Sequence, residues 1–183
     1  MRNAVVGSHG TGKTSFAEAL AKRLNCNYIP DIVREEAVPK GFTINENTPP
    51  EVQLWLAVRQ WELERTTRED WVADKSLFDY VVYGKITLTD KGEFGEMVQE
   101  TIKELVRRNA RYDFVFYLPI EFQMEQDGVR STDLEFQRSI DRRFREYLDE
   151  IEVKYIPLFG SVEERVNQAL DCIVKQNSNL ISD

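Results

Sequence analysis

Residues 7–14 read GSHGTGKT, placed directly after the short apolar run NAVV and directly before a stretch of helical spacing. The pattern G-x-x-x-x-G-K-T is that of a phosphate-binding loop. Its glycines let successive backbone N–H groups face one concavity, and the start of the following helix adds positive potential. Such a loop demands a strand before it and a helix after it. Asn3–Gly7 is the strand signal, and Lys13–Leu24 puts Phe16, Ala17, Leu20 and Leu24 on one helical face. Gly7, Ser8, His9, Gly10, Thr11, Gly12, Lys13, Thr14 and Ser15 are therefore the expected ATP-binding residues. Lys13 offers a cation to the β- and γ-phosphates, and the Thr14 hydroxyl is a ligand for Mg²⁺. His9, the single histidine, is either filler at a variable loop position or an imidazole facing phosphate or substrate.

The rest of the chain alternates strand and helix signals. Asn27–Ile32 reads as a second strand, and residues 38–49, with prolines and a glycine, as a mobile connection. Thr48-Pro-Pro-Glu51 has the form of a capping box opening a helix over about 50–69. Trp71–Ala73 is a third apolar run, followed by helices over Phe78–Leu88 and Phe94–Asn109. Tyr112–Leu118, YDFVFYL, is the clearest strand, apolar throughout and stopped by Pro119, as expected for a strand covered on both faces. A charged helix over about Asp133–Val153, a strand at Tyr155–Phe159 and a helix capped by Ser161-Val-Glu-Glu164 complete the pattern. That last helix is expected to end near Gln176, with NSNLISD fraying. The alternation predicts an α/β fold: a three-layer P-loop NTPase architecture, one mostly parallel five-stranded sheet with helices on both faces and a small helical lid. At 183 residues the whole chain, 1–183, fits one domain.

The chain lacks the Asn-Lys-x-Asp segment by which signalling GTPases read guanine, and it lacks the apolar run ending in Asp-Glu of motor-type ATPases. Instead, the third strand ends in Asp74-Lys75-Ser76, with Asp79 one helical turn on. An acid there orients the Mg²⁺ shell or accepts a proton, and the adjacent base meets substrate phosphate; the plainer alternative is that Asp74 caps the next helix. A phosphoryl-transfer site also needs positive charge over the γ-phosphate. Asp127-Gly128-Val129-Arg130, followed by Arg138, Arg142, Arg143 and Arg145, is the local basic cluster of a chain with net charge −8. Either these arginines close over phosphates as a lid, over about 121–150, or the helical ones pair with neighbouring acids. Phe42, Gln53, Trp55 and Trp61 either stack on a base or belong to the core, and Gln53 stands out as polar on an apolar helix.

Taken in order, GSHGTGKTSFAEAL, IVREEA, WVADKSLFDYVVYG, DGVRSTDLEFQRSID and FGSVEERV resemble the small AAA-type P-loop family that includes the NMN-kinase-like part of bacterial NAD regulators and many phage and bacterial nucleotide kinases. Thymidylate kinases are more distant relatives. The resemblance implies an ATP- and Mg²⁺-dependent kinase in which Lys13, Asp74 and Arg130 are catalytic and Thr14 and Asp74 hold the metal. It implies acceptor contacts from Asp31, Arg34, Glu35, Gln53, Lys75 and Asp79, in a region of about 31–75. Asp127, Arg130, Arg138 and Arg142 fall in the lid, and Gly160 and Ser161 at the adenine. Lysine stands at 75 where these kinases carry arginine, so the contact there is a point charge and not a bidentate fork.

Cys26 and Cys172 are isolated and read as ordinary thiols. With no leader pattern and no membrane-spanning apolar run, a cytoplasmic protein with no membrane partner is expected. The acceptor is expected to be a small nucleoside or nucleotide, foremost a (deoxy)nucleoside monophosphate; a homodimer is compatible with the sequence. The alternatives are a nucleotide-dependent regulatory switch acting through a partner, and a kinase of a hydroxyl on nucleic acid. The acidic balance counts against the last.

Overall fold

The computed structural model describes residues 1–121 and 134–180. Five strands, β1 (Arg2–Val6), β2 (Asn27–Ile29), β3 (Trp71–Asp74), β4 (Phe114–Tyr117) and β5 (Ile156–Pro157), form one sheet in the order β2-β3-β1-β4-β5. Every pairing is parallel. Parallel neighbours need crossovers, and among the described residues α1 (Lys13–Leu24), α2 (Pro50–Thr66), α3 (Leu77–Thr87), α4 (Gly92–Asn109) and α5 (Leu134–Glu150) lie between strands, while α6 (Val162–Leu180) follows β5. The expected three-layer, parallel five-stranded architecture is what the chain adopts.

Strand alternation divides the core in two. Ala4, Val6, Val115 and Tyr117 face the layer built by α2, α3, α4 and α5, whereas Val5, Phe114 and Phe116 face α1 and α6. All four residues of β4 are buried, which is why YDFVFYL carries no polar alternation. In α5 the residues Ile140, Phe144 and Leu148 are fully buried against that first layer. Part of the segment expected as a lid is thus a core helix, and Asp127 and Arg130 lie outside the described residues.

Several local expectations are corrected. Thr48 does not cap α2: its hydroxyl donates to the Asn45 carbonyl at 2.6 Å and accepts from the Asn45 N–H at 2.9 Å, and Pro49 occupies the cap position. Proline at the first helical position leaves one fewer N–H to satisfy, so a side-chain cap is dispensable there. The second strand stops at Ile29, and Val33–Ala37 forms a π-helical turn with Val38 N–H donating to Val33 O at 2.9 Å. A five-residue turn has too few positions for any period to register. Helix α6 continues to Leu180, so residues 177–180 are helical where fraying was expected. The Ser161 box does form: Glu164 Oε2 accepts from the Ser161 N–H and hydroxyl, each at 2.7 Å, and Ser161 Oγ accepts from Glu164 N–H at 3.3 Å.

Candidate active site

The C-terminal ends of β1, β3 and β2 deliver the phosphate loop, Asp74 and Asp31 to one edge of the sheet, where open parallel sheets bind their ligands. The loop leaves β1 at Gly7, whose φ of +140° is unfavourable for other residues; a Cβ there would sit 2.5 Å from the Leu118 carbonyl oxygen. Lys13 is buried and folds its Nζ back onto the carbonyls of Gly7 at 2.9 Å and Ser8 at 2.6 Å. Its ammonium is thereby held at the loop's concave side.

Three residues that the sequence reasoning missed fix this loop. Arg165 of α6 is buried and donates to Thr11 O and to Glu121 Oε2, both at 2.7 Å. Gln137 of α5 donates to His9 O at 2.7 Å. Tyr83 of α3 approaches His9 Nδ1 at 3.4 Å through its hydroxyl. Gln137 shares the buried face of α5 with Ile140, Asp141, Phe144 and Leu148, and a polar residue on that stripe is the signal that would have found it. Arg165 beside Val166 and Ala169 is a comparable signal on α6.

Asp74 closes the end of β3, where its Oδ2 accepts from the Thr14 hydroxyl at 2.5 Å. It does not cap α3. Ser76 does, accepting from Phe78 N–H at 3.2 Å, while Asp79 Oδ2 accepts from Ser76 N–H at 2.8 Å to complete a capping box. The Thr14 hydroxyl and the Asp74 carboxylate are hard oxygen donors of the kind Mg²⁺ prefers, two protein oxygens being typical when phosphates and waters fill the remaining positions. Asp79, expected at the acceptor, is fully buried beneath the site; burial pushes its carboxyl up, opposed by the charges of Lys13 and Lys75.

Lys75 has φ 108°, a conformation that costs a side-chain-bearing residue roughly 1–3 kcal/mol. Its ammonium lies 3.3 Å from buried Asp31 Oδ1 and over the Tyr83 ring. Its carbonyl accepts from Gln60 Nε2 at 3.2 Å, and the same amide donates to Glu64 Oε1 at 3.0 Å. Tyr112 donates its hydroxyl to Glu64 and accepts from Leu77 N–H at 3.0 Å. A side-chain network thus grips the strained peptide from behind.

Burial pushes the Glu64 carboxyl up to about 7 from an ordinary value of 4.5. A folded-state value above the unfolded one means stability that is full below about 4.5 and declines as pH rises through about 7. Glu64→Gln keeps the acceptor oxygen and loses the titration. In urea unfolding it is expected to gain on the wild type between pH 5 and pH 8, by up to roughly 3 kcal/mol. A difference that stays constant with pH would contradict this.

A small slot of about 50 Å³ adjoins the loop, lined by His9, Gln53, Lys75, Tyr83 and Phe136 among others. Gln53 is oriented within it by donating its amide to Thr87 Oγ1 at 2.8 Å. His9 therefore forms part of the wall of this slot. Arg34 and Glu35 are exposed on the π-helical turn just beyond Asp31. Trp55 and Trp61 pack against the core, Trp55 edge-on to Phe42. Arg138 and Arg142 are exposed on α5, Arg142 near Glu146 at 3.8 Å. Gly160 and Ser161 follow β5, and Gly160 N–H donates to Glu121 Oε2 at 3.0 Å.

The sequence matches an AAA-domain family model, AAA_28, over residues 2–165. The chain belongs to this AAA-domain family. Among solved structures, the AAA domain is similar to the NadR protein in complex with NR, with TM-score 0.79 and 20% identity over 95% of this chain and 50% of NadR. It therefore spans about half of that protein. A deoxyadenosine kinase from M. mycoides with bound dCTP matches at TM-score 0.70 and 14% identity, covering 98% of this chain and 100% of the kinase. Thymidylate kinase from Candida albicans matches at TM-score 0.68 and 15% identity, over 97% and 92% respectively. At these identities the likeness is one of fold. No curated protein matches the sequence. Among the described residues, no helix is long and apolar enough to cross a membrane.

Proposed function

We propose that this AAA domain is a Mg²⁺- and ATP-dependent phosphotransferase acting on a small nucleoside or nucleotide, foremost a (deoxy)nucleoside monophosphate. One observation carries the reading. The slot with a polar wall of Gln53, Lys75 and His9 opens against the phosphate loop itself, so donor and acceptor sites share a boundary at His9. The folds of the similar kinases support it, and the cytoplasm is the fitting compartment.

In this reading ATP lies along residues 7–15, and Lys13 exchanges a loop carbonyl for a phosphate oxygen. Mg²⁺ held by Thr14 and Asp74 would supply charge neutralisation at the β- and γ-oxygens. An acceptor phosphate attacks through an oxygen already ionised at neutral pH, so no general base is required. The acceptor oxygen bonds to the γ-phosphorus as its bond to the β–γ bridging oxygen breaks, and ADP departs with the electron pair. Rate then rests on positioning and charge. Lys75 and Gln53 hold the acceptor, with Asp31 beside Lys75 and Arg34 and Glu35 on the turn beyond it; the roles assigned to Asp127 and Arg130 fall outside the described residues. Ligand pockets run from about 300 Å³ upward, so admission of the acceptor requires this slot to widen.

The test is a panel of nucleosides and monophosphates assayed for acceptor-dependent ADP formation from ATP. At least one pyrimidine or purine monophosphate is expected to raise ADP production about a hundredfold or more over the acceptor-free rate. ADP formation indifferent to every acceptor would replace this reading with that of a regulatory ATPase.

A further inference from the structure

At the opposite edge of the sheet, where β1 and β3 begin, lies a second cavity of about 130 Å³. Arg2 and Trp71, adjacent in the parallel register, form one side. Trp61 and Arg65 at the end of α2, with Arg111 just beyond α4, form the other. Three arginines thus line one cavity in a protein of net charge −8. None of them takes part in an ion pair among the described residues. Clustered arginines repel one another, and three of them against the single carboxylate that lines the cavity, Glu64, leave a net positive site that favours an anion.

Two of the three are held in place beforehand. Arg111 is tethered by donating Nη1 to Ala110 O at 2.8 Å and Arg107 O at 3.3 Å. Arg65 lies over the Trp61 ring, its Cζ 5.1 Å from the centroid. Glu64 lines the floor and is attracted to Arg2, but one carboxyl cannot offset three arginines. Both its oxygens accept from the Tyr112 hydroxyl, at 3.0 and 2.9 Å, and one also accepts from Gln60. Burial leaves its carboxyl only partly ionised at neutral pH. The nearby Asp113 is engaged through Oδ2 with the Arg2 backbone N–H.

We infer that this arginine-lined cleft is an anion site, separate from the phosphate loop, that takes a single phosphate group. Planar guanidinium forks match tetrahedral oxyanions in geometry and charge. The volume admits one such group and excludes a nucleoside, so a nucleotide enters by its phosphate alone. The inference is independent of the phosphotransferase reading.

Trp61 and Trp71 line the cleft and report its occupancy by fluorescence. The protein is first saturated with Mg-ADP to fill the phosphate loop, then titrated with inorganic phosphate at constant ionic strength. A saturable change is expected. Arg65→Gln and Arg111→Gln, both exposed positions, should each weaken phosphate binding about tenfold or more, and the double variant should abolish it. The same response in a Lys13→Ala background would exclude the phosphate loop as its source. AMP in place of phosphate separates the two sources of the group: tighter phosphate marks the free ion, tighter AMP a nucleotide. A response no larger than that to chloride, or equal affinity in both arginine variants and the wild type, would overturn the site.

Discussion

Replacing Lys13 with alanine is expected to lower phosphoryl transfer at least about a hundredfold and to weaken ATP binding, while the fold persists. The side chain is buried at the concave side of the loop, and its ammonium donates to the carbonyls of Gly7 and Ser8, at 2.9 and 2.6 Å. Those bonds tie the two ends of the loop together and hold the cation where phosphate oxygens would arrive. Alanine removes both the charge and the tie. Because Arg165 and Gln137 still hold the Thr11 and His9 carbonyls from α6 and α5, the loop keeps its outer anchors. The measurements are kcat and KM with the best acceptor, ATP affinity by calorimetry, and circular dichroism to confirm folding. An unchanged turnover in a folded variant would remove the phosphate loop from the chemistry.

Asp74→Asn is expected to reduce kcat by roughly two to three orders of magnitude with little loss of stability. Asparagine can still accept from the Thr14 hydroxyl, so the 2.5 Å contact has a neutral substitute. What disappears is the negative charge that a divalent cation needs. The helix after β3 does not depend on Asp74, since Ser76 and Asp79 provide its capping box. Stability and activity are therefore separable at this position. A large drop in melting temperature alongside lost activity would point instead to a structural role, and near-normal activity would take Asp74 out of the metal site.

The contrast between these two residues and Lys75 shows where local pattern runs out. Lys13 and Asp74 were legible because each sits at a fixed offset from a strand end, and a strand end can be read from a short apolar run. The φ of Lys75 could not be read, since its strained peptide is sustained by Gln60, Glu64 and Tyr112, which come from α2 and from the lead into β4. Likewise Trp55 and Trp61 suited either a base or the core, the core being the plainer reading, and the packing of α2 against α3 and α4 places them there. The arginines of α5 were seen as one basic cluster, yet the helix turns Arg138 and Arg142 outward while Gln137 points to the phosphate loop.

By itself the sequence determined the order of strands and helices, the double-sided burial of β4 and the position of the phosphate loop, because each depends on residues close together in the chain. Spacing, glycine placement and apolar periodicity are local quantities. Tertiary structure alone decided the strand order β2-β3-β1-β4-β5, the slot beside His9 and the grip of Arg165 on Thr11, 154 residues away. It also brought Arg2, Arg65 and Arg111 to one cleft. Such contacts arise when the crossovers stack helices on both faces of the sheet, and no local pattern in the chain encodes which distant side chains that stacking will join.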